Sequence, residues 1–233
     1  MINQQEHYSR HIALTEVGKT GQAKISQAKV LVVGAGGLGC PILLYLTAAG
    51  VGTIGFMDDD VVSESNLQRQ ILYDIQSLGM LKVKVAHRKL QTLNPDCHLI
   101  PIAQRLTREN ASEITRNYDV VVDATDNLLS RYIIDDACQE NNKPFVYGSI
   151  CEFEGQVSVF NYQGGPGYRN LFPYHEKIKD FQQPLGVLGA IPGIIGSIQA
   201  SETLKIILGH STLSGKLLLI NLLKGTFKTI RII

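Results

Sequence analysis

No stretch of this sequence stays apolar long enough to cross a bilayer. The longest apolar tract, residues 187–208, is broken by Pro192, by glycines and by Ser197, Gln199, Ser201, Glu202 and Lys205. A membrane-spanning helix needs about 20 mostly apolar residues. Neither charge is in excess: 22 Lys and Arg against 21 Asp and Glu leave a net charge of +1. That removes any general electrostatic case for a nucleic-acid or membrane-surface partner. The opening residues, MINQQEHYSRH, lack the apolar core of a secretory signal. The four cysteines, Cys40, Cys97, Cys138 and Cys151, form no CxxC pair. Scattered cysteines of this kind are small apolar fillers, expected of a reduced, cytoplasmic protein.

What is present is a core and an alternation. The chain has 233 residues, 44% of them hydrophobic, enough to build one sizeable domain. Residues 1–27 are polar and helix-tending. Apolar strand patterns at 28–33, 52–57, 97–102 and 119–123 alternate with helical patterns at 37–49, 80–93, 109–116 and 127–141. Asn94-Pro95 and Lys143-Pro144 end two of the helices. Residues 58–74 are irregular and polar. Strands at 145–150 and 155–161 follow one another with no helix between, so the sheet turns antiparallel there. Residues 162–185 hold glycine, proline and charge with no period, as a functional loop does. A helix at about 188–208 and two strands, KLLLIN and TFKTIRI, close the sequence.

The pattern predicts an α/β fold. It is Rossmann-like and doubly wound, with a mostly parallel sheet and antiparallel C-terminal strands. We read a single domain: helices over 1–27, a nucleotide-binding core over 28–161, a crossover loop over 162–185, and a helix and strands over 186–233.

The chemistry starts at VLVVGAGGLGCP, residues 30–41. An apolar strand meets a glycine turn containing Gly34, Gly36 and Gly37, and a helix follows. Such a turn lets backbone N–H groups approach a phosphate at a helix N-terminus. Asp58 ends the next strand about 20 residues later, where an acid binds a ribose hydroxyl. NAD and ATP fit these features equally. Asp59 and Asp60 follow, and Asp59 reads as a solvated loop acid.

SNLQRQ, residues 65–70, separates the two nucleotides. It carries Arg69 between the amides of Gln68 and Gln70, where an NAD fold would already be in its second helix. Taken singly, Arg69 reads as a surface ion-pair partner and Lys82 as a solvated helix residue. Lys82, however, falls in the first turn of its helix, where a cation opposes the macrodipole. A ligand phosphate offsets that cost. Hydride transfer has no use for extra cations near the nucleotide, whereas phosphoryl and nucleotidyl transfer do. DATDN, residues 123–127, ends the fourth strand and faces the same crevice. One acid there could simply cap the next helix. Asp123 and Asp126 together, opposite an Arg and a Lys, suit Mg²⁺, which takes one or two carboxylates and fills its shell with water and phosphate.

These stretches, with YSRHI, GQAKI, LNPD, EGQVSVFNY, GVLGAIPGIIGSIQASETLK and SGKLLLIN, run in order from about residue 8 to the end. Together they resemble the ThiF/MoeB/HesA-type ubiquitin-activating-like adenylyltransferases. The resemblance implies adenylation of the C-terminal glycine carboxylate of a small ubiquitin-like sulfur carrier ending in Gly-Gly. ATP is consumed, pyrophosphate is released, and the pathway is thiamine or molybdopterin synthesis. It implies that Gly34, Gly36 and Gly37 lie under the nucleotide and that Asp58, with Asp60, is at the ribose. It puts Asn66, Gln68, Arg69 and Lys82 at the phosphates, and Asp126 on Mg²⁺ with Asn127 beside it. Arg10 resembles an arginine that reaches a neighbouring subunit's site, which implies a homodimer. Arg10, Arg69, Lys82 and Asp126 would then be the catalytic set.

Two departures qualify the resemblance. Relatives often carry a CxxC within the segment that here reads GGPGYRNLF, and a second one past the last strand. Gly167 and Asn170 occupy the first pair's positions and the sequence ends at Ile233, so no structural zinc is expected. Relatives also often carry a cysteine shortly before GVLG. Here the place reads Gln182-Gln183-Pro184, so no covalent intermediate on this loop is expected, and sulfur is expected from a separate donor. Three other readings remain: a peptide acceptor in natural-product synthesis, an NAD-dependent oxidoreductase, and a non-catalytic scaffold. The oxidoreductase leaves Arg69, Lys82 and DATDN unexplained, and a scaffold has no reason to keep the charged set.

Overall fold

A computed structural model of the chain describes residues 3–174 and 186–232. Three short helices come first: α1 Gln4–His7, α2 Ser9–Ile12 and α3 Gly18–Gln27. The alternation then runs β1 Lys29–Val33, α4 Gly39–Ala48, β2 Thr53–Met57, α5 Lys82–Leu93, β3 His98–Ile102, α6 Ala111–Thr115, β4 Val120–Asp123 and α7 Leu128–Glu140. Next come β5 Phe145–Cys151, β6 Glu154–Phe160, α8 Tyr168–Leu171, α9 Ala190–Leu208, β7 Lys216–Asn221 and β8 Thr226–Arg231.

The strands form one sheet in the order β3-β2-β1-β4-β5-β6-β7-β8. The first five are parallel, and β5 to β8 pair antiparallel. This is the expected doubly wound sheet with its antiparallel continuation. Side chains alternate between its faces. Val30 and Val32 enter the core beneath α4, α5 and α9, while Leu31 and Val33 enter the one beneath α6, α7 and α8. With both faces covered, β1 has no room for a polar residue past Lys29.

Because β1 lies between β2 and β4, the chain leaves it in opposite directions, and a crevice opens at the carboxyl ends of these strands. Val33, the last residue of β1, is level with Met57 on one side and Asp123 on the other. The glycine turn, Asp58 and DATDN therefore share one edge of the sheet.

The expected structureless loop at 162–185 contains α8. Its single turn is too short to show a period. It is held instead by specific bonds: the Asn170 side chain accepts from the Gly167 N–H at 2.9 Å, and Arg169 reaches Asp135 on α7 at 2.8 Å. Residues 175–185 of that loop, with Gln182, Gln183 and Pro184, lie outside the described residues. Among the described residues no helix is long and apolar enough to cross a membrane.

Candidate functional site

The glycine turn is held at its start. Gly34 has φ +102°, and a Cβ there would meet the Ala124 carbonyl. Ala35 donates its N–H to Asp58 Oδ2 at 2.8 Å, and its carbonyl accepts from the Tyr73 hydroxyl at 2.6 Å. Asp58 thus fixes the turn as well as facing it. Its Oδ1 accepts from the Asp60 N–H at 2.9 Å. Burial pushes the Asp58 carboxyl above its ordinary range, while Lys82 and these two N–H groups pull it back.

Lys82 is not solvated. Its side chain is only 6% exposed, and its Nζ lies 2.8 Å from Asp60 Oδ2 and 3.9 Å from Asp58 Oδ1. Its own N–H bonds the Asp60 carbonyl at 3.0 Å. Two carboxylates therefore offset both its burial and its place at a helix N-terminus. Asp60, 69% exposed, presents its carboxyl to the Lys82 ammonium at the mouth of the site. Asp59 is exposed, as expected.

Residues 63–73 form the near wall. Asn66 closes a capping box, its Oδ1 accepting from the Ser63 N–H at 3.2 Å. Arg69 donates to the Ser65 carbonyl at 2.9 Å. The stem of Arg69 passes Gly37, its Cδ 3.7 Å from where a Cβ on that glycine would stand. Pro192, in the first turn of α9, flanks the same glycine. Gln68 backs onto Gly189, the residue just ahead of α9. Gly36 faces the amide of Gln70.

The DATDN turn corrects one expectation. Asp123 is fully buried and is not available to a metal. Its Oδ1 accepts from the Thr125 hydroxyl at 2.6 Å and the Thr125 N–H at 2.8 Å, and its Oδ2 faces Arg131 Nε at 3.3 Å. The strand-end position predicted a crevice-facing acid, but β4 is packed on both faces as far as this residue. Only Asp126 is exposed to the crevice edge. Asn127 uses its Oδ1 to cap α7, accepting from the Ser130 N–H at 2.9 Å, and its amide nitrogen is left facing Asp126.

Three residues absent from the expected set hold this edge together. Arg131 also donates to the Thr125 carbonyl at 3.3 Å and lies over the Tyr147 ring at 5.5 Å. From the opposite face Gln199, in α9, donates to the Asp123 carbonyl at 2.6 Å. Tyr73 clamps Ala35. Only Arg131 has a signal in the sequence, a cation one turn into the helix that follows a strand-end acid.

Arg10 is not brought to this crevice. It is exposed on α2, beside Tyr8, whose hydroxyl accepts from Asn94 Nδ2 at 2.8 Å and packs against Gly50. Gly50 lies past the carboxyl end of α4, and the glycine turn precedes the other end, about 15 Å away for a helix of ten residues.

Residues 8–233 match the model of the ThiF family. The chain belongs to the ThiF family. Among ThiF relatives, a "Probable molybdopterin-synthase adenylyltransferase" of Porphyra purpurea is 47% identical, aligned over 100% of this chain and 62% of its own length. "Adenylyltransferase and sulfurtransferase MOCS3" of Aedes aegypti is also 47% identical, over 99% of this chain and 53% of its own length. The chain thus spans between half and two thirds of these curated relatives. Two solved structures share the fold. A crystal structure of E. coli MccB with MccA-N7isoASN superposes with a TM-score of 0.88 at 18% identity, covering 99% of this chain and 72% of that one. A structure of PaaA has a TM-score of 0.83 at 22% identity, covering 100% and 75%.

Proposed function

We propose that this chain adenylates the C-terminal glycine carboxylate of a small ubiquitin-like sulfur carrier ending in Gly-Gly. Two 47%-identical relatives, one named for molybdopterin synthase and the other MOCS3, favour a molybdopterin-type carrier over a thiamine-type one. The observation that carries the reading is the placing of Arg69 along Gly37, and of buried Lys82 beside Asp58, at one glycine turn. A nicotinamide site has no need of these cations.

In this reading Gly34, Gly36 and Gly37 take the nucleotide, and Asp58 takes the ribose. Asn66, Gln68, Arg69 and Lys82 meet the phosphates, with Asp60 steering the Lys82 ammonium. Asp126 is an exposed carboxylate at a strand end, beside an amide, which is a donor set suited to Mg²⁺. When bound, that ion neutralises phosphate charge. The glycine carboxylate attacks the α-phosphorus in line, forming a C–O–P bond as the α–β bridge breaks and pyrophosphate leaves. The carboxylate arrives ionised, so no general base is needed. The chain's contribution is positioning and charge neutralisation.

Arg10 acts in this reading from a second copy of the chain, as its own site lies out of reach. Ile71, 62% exposed on the segment that walls the site, and Ile75, 76% exposed just past it, supply apolar surface for such a neighbour. Sulfur comes from a separate donor. Cys40, Cys97 and Cys138 are buried. Cys151 is exposed, but partial burial and the Glu152 and Glu154 carboxylates push its thiol up, away from the reactive thiolate. No structural zinc is invoked, and the setting is the reduced cytoplasm. ATP–pyrophosphate exchange tests the reading. Exchange should appear only with a carrier ending in Gly-Gly and vanish in Asp126→Ala. Exchange that persists in Asp126→Ala overturns the metal assignment.

A further inference from the structure

Gln70 is the one amide of the SNLQRQ segment to which the reading above gives no task, and its surroundings give it one. The residue is 4% exposed. Its Oε1 has no hydrogen-bond partner among the described residues. Its Nε2 stands 3.5 Å from the point where a Cβ on Gly36 would be, and among the described residues beyond Gly36 and its chain neighbours no other atom comes within 4 Å of that point.

The backbone at Gln70 is fixed on both sides. The Gln70 N–H bonds the Asn66 carbonyl at 2.9 Å, and its carbonyl accepts from the Tyr73 N–H at 3.0 Å. Tyr73 in turn holds Ala35 through its hydroxyl. Gln70 is therefore anchored to the glycine turn on one side and to the Arg69 segment on the other. Among the described residues neither end of its amide has a hydrogen-bond partner. Among the described residues, engaging a ligand breaks no bond of that amide, so the donor is available to one.

We propose that Gln70 is a further nucleotide-binding residue. Its Nε2–H donates to a phosphate oxygen of the nucleotide resting on Gly36 and Gly37, alongside the Arg69 guanidinium. The proposal rests on the nucleotide reading of this turn. A triphosphate presents acceptors only, so it meets the donor end of the amide. The glycine at position 36 is what lets the two approach, since a side chain there would stand between them.

Nucleotide affinity, measured by titration calorimetry with ATP and with adenosine, tests this without any carrier. The proteins are the parent, Gln70→Met and Gln70→Glu, each with its thermal midpoint recorded without nucleotide. Losing one hydrogen bond to a charged group should weaken ATP binding about tenfold in Gln70→Met. Gln70→Glu should weaken it further, because a carboxylate then faces the phosphates. Adenosine affinity should be unchanged in both, with no fall in midpoint. ATP affinity within about twofold of the parent in both variants overturns the proposal while the nucleotide reading stands. An equal loss for ATP and adenosine with a lowered midpoint also overturns it, leaving a packing role. A parent chain that binds no ATP overturns both.

Discussion

Arg131 and Asp123 form an ion pair shut off from solvent, Nε to Oδ2 at 3.3 Å, with side chains 9% and 0% exposed. The pair ties the start of α7 to the end of β4, and the Thr125–Asp126 turn is strung between them. Removing one partner strands the other charge. Arg131→Met should destabilise the chain by about 3–5 kcal/mol, and adding Asp123→Asn should return part of that. Urea denaturation of both proteins checks it. Equal stability of the single variant and the parent would show that the pair does not hold this edge.

Lys82 carries the second prediction. Its ammonium is held by Asp60 and Asp58 where the phosphates are proposed to sit. Lys82→Met should lower ATP–pyrophosphate exchange by about 100-fold or more, the scale expected when a donor to developing charge is lost. Lys82→Arg should not restore it, because the planar guanidinium is bulkier than the buried ammonium it replaces. Exchange rates at saturating carrier decide the point, and wild-type exchange in Lys82→Met would contradict it.

Arg10 and Asp126 give a complementation test. If Arg10 serves a second copy's site, Arg10→Ala and Asp126→Ala are each inactive alone. Mixing them under conditions that exchange subunits should restore about one quarter of the parent activity, since random pairing makes half the chains hetero-pairs with one intact site each. No recovery, with subunit exchange demonstrated by mass, would place Arg10 outside the chemistry.

Two carboxyls should shift with pH in opposite senses. Asp74 is held at about 2 by its hydrogen bonds to Lys89 and to Ser77. Its folded value lies below the unfolded 3.8. Its contribution to stability is therefore present above about pH 4 and is lost as pH falls toward 2. The thermal midpoint of Asp74→Asn should trail the parent at neutral pH and meet it near pH 2. Asp58 runs the other way. Burial raises it above 3.8, so the folded chain takes up this proton before the unfolded one does, and ionising the group as pH rises costs stability. Carbon-detected NMR should find Asp58 titrating above 3.8 and Asp74 below it.

Much of this architecture is legible in the residues. The apolar runs of β1, β2 and β4 read as strands buried on both faces. The Asn94-Pro95 pair marks the end of α5. The adjacent runs at 145–150 and 155–161 announce the antiparallel turn. Gly34 and Asp58 are legible because turn and strand-end chemistry leave few alternatives. The misses share a cause. Asp123 reads as a crevice acid because strand position is visible and burial is not. Lys82 reads as a cation at the site, but the carboxylates that hold it are not legible, because they lie 22 and 24 positions earlier in the sequence. Gln199 and Tyr73 reach the site from segments whose docking depends on the whole sheet. A single turn such as α8 is stabilised by side-chain bonds that leave no periodic trace.

The central claim is that this crevice joins a nucleotide's α-phosphorus to the carboxyl end of a protein. The intact mass of a molybdopterin-type carrier, recorded after incubation with ATP, magnesium and this chain, tests that most directly. The carrier should gain the mass of one adenylyl group, localised to its terminal glycine, and should gain nothing once that glycine is removed. An unmodified carrier, or an adenylyl group found elsewhere on it, would contradict the account.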